Sequence, residues 1–413
     1  MTIRAKYVKD VEDIAGRVLE IRHSRGTFHT PVRVLRGSSR EDKIITSKDC
    51  RGVVEVYARL TPNKLKRMWL NLSEEYLFTC KIRRAARKAQ DYELVIAIPE
   101  IEAKPSSRLR NSVKVGECIL ELFGAVEVDV LCTPIFNRVN ERYVLPILQG
   151  FLEAASTIDK PIALLIPEVS RDLRDRIVKM YFELADRNNN LLTNVICVDY
   201  DGSNPVTRYS KHIFALKLSK ELEWSLDEPV VIYGVNVKFS KASHKSDEIT
   251  ARDLVSPFIG IDIIGPNHRR PVISGDVADL LKQRDVEKKI LSTTNYSYLT
   301  IEKALILRNS LPELRSGVIT IDSIMAMKLS GKSRFEEEIR LYNAEKSALE
   351  IARIRKMFSE GDVNPKSYLL RKPRIKTDKI VCKRFEKCVR LISRYRKMIS
   401  RYKMKKLTDK ILF

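Results

Sequence analysis

Short apolar, β-branched runs alternate with longer stretches of helical period through roughly the first 270 residues. The runs predict strands over Leu94–Pro99, Val126–Cys132, Tyr143–Leu148, Pro161–Pro167, Asn194–Val198, Pro229–Tyr233 and Gly260–Ile264. Apolar positions spaced by three and four predict helices over Leu65–Thr79, Asn111–Phe123, Gly150–Ser156, Arg171–Arg187, Arg208–Glu223 and Ala251–Ser256. Strand, helix, strand at this rhythm means parallel strands joined by crossovers. Six or seven such units suit an α/β fold of the (β/α)8 TIM-barrel kind. An open doubly wound sheet is the alternative, and no G-x-G-x-x-G follows any strand to favour it.

The two ends of the chain read differently. Residues 1–60 carry turn signals and β-rich pieces (Val32–Leu35, Val53–Leu60), which fits a cap across one end of a barrel. Beyond Ser310 the pattern is helical and charged, with Arg334–Phe358 its longest periodic run. Gly361–Pro373, with Pro365 and Pro373, reads as a linker. The expected organisation is a barrel over 1–310, a helical segment over 311–364 and a basic helical tail over 365–413.

Charge changes this picture at the C-terminus. From Arg371 to Phe413 seventeen Lys and Arg stand against three acids, so +14 of the chain's +23 lies there. Such density self-repels unless a polyanion screens it, and nucleic acid is the usual polyanion. The tail is also patterned. Phe385, Cys388, Ile392, Tyr395, Ile399 and Tyr402 form one apolar and aromatic seam on an otherwise basic helix. Arg394, Tyr395, Arg396, Lys397, Arg401, Tyr402 and Lys403 would suit phosphate neutralisation with base stacking. A plain solvated tail is the bland reading, and a lipid-surface helix is a third. Seven scattered cysteines with no C-x-x-C argue for a reducing compartment and against a cysteine zinc site. With no apolar run near eighteen residues and no signal core at the N-terminus, a cytoplasmic protein without a membrane partner is expected.

Barrel enzymes carry their working groups at the C-terminal ends of strands. Those ends here offer Glu100 and Glu102, Cys132, Gln149 and Gly150, Glu168, Asp199 and Asp201, Gly234, and Gly265 to His268. Glu100 and Asp199 are the carboxylates to test for acid–base work, although a loop or cap role fits either. Asp199-x-Asp201 could hold a divalent ion, but a plain Asp/Gly turn is the simpler reading. His268, beside Arg269 and Arg270, suits phosphate contact as well as catalysis. No G-x-S-x-G, Walker loop or H-E-x-x-H occurs, and no metal or cofactor is expected.

The ordered pieces resemble the tRNA-guanine transglycosylases, especially the archaeosine-making branch. Gly16–Glu20 followed by Arg25-Gly26-Thr27-Phe28-His29-Thr30-Pro31 is similar to the family's entry. Gly124–Pro134 resembles its strand ending in C-T-P, and Ile147-Leu148-Gln149-Gly150 its V-Q-G. Pro229–Gly234 resembles its strand ending in glycine, and Gly260–Gly265 its G-x-D-hydrophobic-F-D. These pieces keep the family's order over residues 10–310. The resemblance implies a tRNA-binding barrel that exchanges guanine through a covalent nucleotide, in proteins that are often dimers. It implies substrate contacts at Gln149, Gly150 and Gly234.

The departures weigh as much as the match. The family's nucleophilic aspartate falls at Gly265, and its purine-reading aspartate at Val130. Its D-S-G has only Glu100-Ile101-Glu102 in its place, and its zinc cysteines are missing. A covalent displacement needs a positioned nucleophile. The expectation is therefore a diverged relative that binds tRNA or other RNA without base exchange. It would act as the non-catalytic subunit of a homo- or hetero-oligomer, or as an RNA-binding factor. The alternatives are an enzyme using a relocated carboxylate such as Glu100 or Asp199, and a DNA-directed relative.

Overall fold

The structure is a computed structural model that describes residues 3–35, 39–103, 109, 111–155, 157–158, 160–187, 193–239, 246–269, 289–328 and 330–411, with the side chains of 39, 185–187, 332 and 399–411 outside that description. An antiparallel sheet opens the chain: β1 (Arg4–Asp10), β2 (Arg17–His23) and β3 (Gly26–His29). Then come eight strands that pair only in parallel: β4 (Val32–Arg33), β5 (Val53–Leu60), β6 (Leu94–Glu102), β7 (Val130–Cys132), β9 (Ile162–Ile166), β10 (Val195–Ser203), β11 (Val231–Val237) and β13 (Ile263–Ile264). A short β8 (Ile135–Asn137) runs beside the far end of β6. Their order is β4-β13-β11-β10-β9-β7-β6-β5. Leu35, two residues past β4, bridges in parallel to Val54 of β5, at the other end of that order.

Helices fill the connections: α1 (Ser39–Ile44), α2 (Pro62–Leu70), α3 (Leu72–Ala86), α4 (Ser112–Gly124), α5 (Glu141–Ala155), α6 (Arg171–Arg187) and α7 (Tyr209–Leu226). Strand residues alternate between two cores, as a pleat with period two requires. Val95 and Ala97 join the outer core under the helices, whereas Leu94, Ile96 and Ile98 join an inner core with Val130, Cys132, Leu165 and Cys197. Leu19, Ile21 and Phe28 of the N-terminal sheet complete the inner core beside the first residues of the parallel strands, so that sheet caps their N-terminal ends. A buried ion cluster rivets the cap. Arg17 of β2 donates to both oxygens of Asp262, at 3.0 and 2.8 Å, and pairs with Glu223 of α7. Asp262 also accepts from the Ile232 N–H at 2.8 Å. Burial alone would raise the Glu223 carboxyl, but Arg17 and Lys220 hold it at about 2.

Two expectations fail here. Tyr143–Leu148, expected as a strand, lies inside α5, and the helix expected from Gly150 is only its continuation. Val144, Ile147, Leu148, Phe151, Leu152 and Ala155 are buried at spacings of three and four, so the run is one helical stripe with Pro146 inside it. Likewise 251–256 is turn followed by the short 3-10 helix Ser256–Ile259, whose chain direction is reset at Gly260 with φ 98°.

A separate core lies within residues 290–342. Strands β12 (Glu248–Thr250), β14 (Lys289–Ser292) and β15 (Ser297–Thr300) make a small antiparallel sheet. It shares a core with α8 (Ile301–Leu307), α9 (Ile321–Lys328) and α10 (Lys332–Glu360), from Ile290 to Tyr342, so the boundary expected at residue 310 falls inside that core. The expected linker 361–373 is also packed: it contains α11 (Pro365–Arg371), which buries Leu369. After α12 (Pro373–Thr377) the chain ends in α13 (Lys379–Ile411).

Candidate functional site

The C-terminal ends of the parallel strands converge on a charged cluster. From β5, Glu55, Tyr57 and Arg59 alternate onto one side. Glu100 comes from β6, Asn137 from β8, Asp199 and Asp201 from β10, Asn236 from β11, and His268 and Arg269 from the segment after β13. Arg269 is the hub, with a side chain 9% exposed. It reaches Glu100 at 2.5 Å, Asp199 at 2.7 Å and Asp201 at 3.0 Å. Arg59 holds Glu100 at 2.9 Å and donates to the His268 carbonyl at 2.9 Å.

Glu100 and Asp199 are thus brought together as partners of one guanidinium. Glu100 is fully buried, and both of its oxygens are filled. Oε1 accepts from Asn137 and Arg269, and Oε2 from Tyr57 and Arg59. A carboxylate has about four lone-pair sites, so these four donors from the cluster occupy them. Asp199 Oδ1 accepts from Asn236 at 2.8 Å and from the Asp201 N–H at 3.0 Å. Instead of the expected Asp/Gly turn, Asp201 and Gly202 lie within β10 where its register on β11 shifts between Asp199 and Ser203, with φ 52° and 68°. Burial, then the neighbouring Asp199, pushes the Asp201 carboxyl up. Among the described residues no group of three or more His, Cys, Asp or Glu is arranged to hold a metal ion.

His268 belongs to the same cluster rather than to a phosphate-facing surface. Its ring stacks on Tyr57, with centroids 4.1 Å apart, and Nε2 lies 2.5 Å from Glu55 Oε1. Glu55 in turn accepts from the Tyr233 hydroxyl. Gly265, just past β13, has no room for a side chain: a Cβ there would lie 2.9 Å from the Gly234 carbonyl and 3.0 Å from the Tyr233 ring. Gly234 is an interior residue of β11, paired with Val198 and Ile264.

Gln149 and Gly150 are not at the strand ends at all. Gln149 lies on the exposed side of α5 and donates to Glu153 at 2.8 Å. Gly150 packs α5 on α4, where a Cβ would meet the Val113 carbonyl at 2.0 Å. That need for close backbone approach explains its glycine without any ligand.

Beside the cluster a cleft of about 550 Å³ opens between the ends of β4, β11 and β13 and the flank of α10. Arg33, Phe239, Asp253, Tyr298 and Arg340 are among its walls. Phe239 stacks on Tyr298 at 4.1 Å, and the Tyr298 hydroxyl donates to Asp253 at 2.7 Å. Burial pushes the Asp253 carboxyl up.

The second candidate surface is α13. Of its expected seam, Phe385, Cys388 and Ile392 are buried in the outer core together with Val381, where the helix docks on α7 and on residues 256–259, while the side chains of Ile399 and Tyr402 lie outside the described residues. Arg384 donates to the Val206 and Thr207 carbonyls. Arg396, expected to face phosphate, turns back to Asp10 at 2.7 Å and to the carbonyls of Glu12 and Ile14 at 3.0 Å each. Tyr395 is half-buried. Arg394 and Lys397 are exposed, in a row with Lys379, Lys383, Lys387 and Arg390. At 3.6 residues per turn these six fall within an arc of about 80° and a length of about 27 Å. Arg401, Tyr402 and Lys403 lie in the helix with side chains outside the described residues, and Arg270 lies outside them altogether.

The chain matches no protein-family model and no curated protein. No described helix is long and apolar enough to cross a membrane. Tyr57, Arg59, Asn137 and Asn236 were missed in the sequence. For the first two a signal exists: in Val53-Val54-Glu55-Val56-Tyr57-Ala58-Arg59 the polar residues recur with period two inside an apolar strand.

Proposed function

We propose that this chain is a nucleic-acid-binding protein, with tRNA or another structured RNA as its partner, built on a transglycosylase-like (β/α)8 barrel that no longer exchanges bases. In this reading the eight parallel strands close on themselves, with the Leu35–Val54 bridge as the seam and the β1–β3 sheet as the cap. The observation that carries the binding role is the cation row of α13. The helix spends its apolar face on docking, and the six basic residues of the row point away from the body. A row of about 27 Å is long enough to reach several successive phosphates of one strand.

Two features support the loss of exchange. Gly265, which the resemblance aligns with the nucleophile, sits where a side chain would collide with β11. Glu100, a candidate replacement, accepts two hydrogen bonds on each oxygen. The protein acts in the cytoplasm, as an RNA-binding factor or as the non-catalytic subunit of a transglycosylase-like assembly.

The test is binding of labelled tRNA, measured by anisotropy over a range of salt, alongside incorporation of labelled guanine. Salt-dependent binding without incorporation is expected. Incorporation abolished by Glu100→Gln would replace this reading with that of an enzyme using a relocated carboxylate. Preference for duplex DNA over tRNA would move the partner to DNA. Point substitutions serve better than removal of the tail, because cutting at residue 371 would take away the buried Ile375, Val381, Phe385, Cys388 and Ile392 and uncover the outer core they pack against.

A further inference from the structure

The corner between α2 and α3 exposes apolar surface that the fold of this chain does not use. Trp69 is 54% exposed, Leu70 77%, Leu72 83%, Tyr76 65% and Leu77 65%. Asn71 makes the corner: it ends α2, starts α3, and its Oδ1 accepts from the Ser73 N–H at 2.9 Å. The inner faces of the two helices already bury Leu65, Met68, Phe78 and Ile82. The five outer side chains therefore have no core of their own to join. Together they present about 600–700 Å², beyond the largest patch of an ordinary monomer and near the ~800 Å² each partner gives to a stable interface.

The charges around the patch say what covers it. On the α2 side stand exposed Lys66 and Arg67, and on the first turn of α3 stand Glu74 and Glu75. Arg67 and Glu74 of the same chain approach only to 3.8 Å and stay open to solvent. A two-fold axis through the corner lays the basic α2 of one copy against the acidic start of α3 in the other, and the reverse. Apolar side chain meets apolar side chain at the centre, with reciprocal ion pairs at the rim.

We propose that the α2–α3 corner is the two-fold interface of this protein with a second copy of itself. The proposal stands apart from the nucleic-acid reading. The corner packs on β5, whereas α13 packs on α7, which follows β10, four strands further along the sheet. Dimerisation here leaves both cation rows free.

Sedimentation velocity of the full chain, without nucleic acid, tests it. The wild type is expected to sediment as a dimer at micromolar concentration. Leu72→Asp and, separately, Leu77→Lys are expected to give folded monomers that still unfold cooperatively, since both side chains face solvent in the single chain. Arg67→Glu should weaken the dimer tenfold or more, and adding Glu74→Arg should recover most of that loss. A wild-type monomer at the highest soluble concentration would overturn the proposal. So would a dimer indifferent to both Leu72→Asp and Leu77→Lys, or a monomer whose corner instead binds anionic vesicles.

Discussion

The strand-end cluster and the outer face of α13 are both dense in charge, but they handle it in opposite ways. At the strand ends each guanidinium is matched to carboxylates a few ångströms away: Arg269 to Glu100, Asp199 and Asp201, and Arg59 to Glu100. On α13 six cations share one face, with Glu386, 3.3 Å from Arg390, as a local counter-charge. A buried charge that is internally neutralised holds elements together, and removing one partner strands the other. An exposed row of one sign stabilises nothing by itself and acquires its counter-charge from outside. In the sequence Glu100 and Asp199 read as candidate acid–base groups with a loop or cap role as the alternative, and the helix as a phosphate-contacting face. Geometry turns the first pair into scaffold and leaves the second as the surface available to a partner.

The largest effect that follows is on stability. Arg269→Met leaves Glu100 and Asp199 buried with fewer partners and should cost about 3–5 kcal/mol. Urea denaturation gives the value. Arg394→Met, on the exposed row, should stay within about 0.5 kcal/mol of the wild type in the same measurement. If the two variants were equally stable, the contrast between the regions would be gone.

The next effect is a pH dependence of the platform beneath α13. His212 of α7 is fully buried. Its Nε2–H must donate to the Ile259 carbonyl, at 2.9 Å, because a carbonyl can only accept, so Nδ1 accepts from the Tyr200 hydroxyl. Burial holds this imidazole at about 4 instead of the ordinary 6.5. In the unfolded chain it takes a proton as pH falls through 6.5, while in the folded chain it stays neutral down to about 4. Stability from this group is therefore complete above pH 6.5 and lost on acidification, up to about 3 kcal/mol by pH 4. The difference in denaturation midpoint between pH 7 and pH 5 should shrink in His212→Gln. An unchanged difference would remove His212 from the account.

A third substitution separates the helix reading of 141–155 from the base-contact reading. Gly150→Ala places a Cβ against the Val113 carbonyl and should destabilise by about 1–3 kcal/mol, with nucleic-acid affinity intact once the protein is folded. Gln149→Ala should change neither quantity. Loss of affinity in Gln149→Ala would restore the base-reading role.

These cases mark what is legible in the chain. Strands β6, β9, β10 and β11 read directly from apolar runs because a parallel sheet covered on both faces needs such runs. The seam of α13 read directly from its three- and four-residue spacing. Residues 143–148 did not, because a short apolar run around Pro146 fits a buried strand as well as one helical stripe. The hub of the cluster could not be read at all. Arg269 lies 169 positions from Glu100 and 70 from Asp199, and only the return of β13 to the sheet brings them within one guanidinium's reach. Nothing local in Asn267-His268-Arg269 distinguishes an arginine facing inward from one facing phosphate. The fold alone decides, and it separates Arg269 from Arg394 as it separates Arg396 from Lys397.

The smallest effect is also the most specific to the proposed partner. Arg390→Ala, Arg394→Ala and Lys397→Ala each remove one exposed cation without uncovering the seam, so each should leave stability within about 0.5 kcal/mol. If the row contacts phosphates, each cation displaces a condensed counterion, and the slope of log affinity against log salt should flatten by about 0.7–0.9 per substitution. The three slopes should add, because the residues sit three and four positions apart along one face and reach different phosphates. Arg396→Ala supplies the control inside the same helix. Its guanidinium is spent on Asp10 and two carbonyls, so it should lower stability and leave the slope where it was. Should Arg396→Ala flatten the slope as much as Arg394→Ala does, the division between inward and outward cations would fail, and with it the argument that α13 faces its partner with one chosen side.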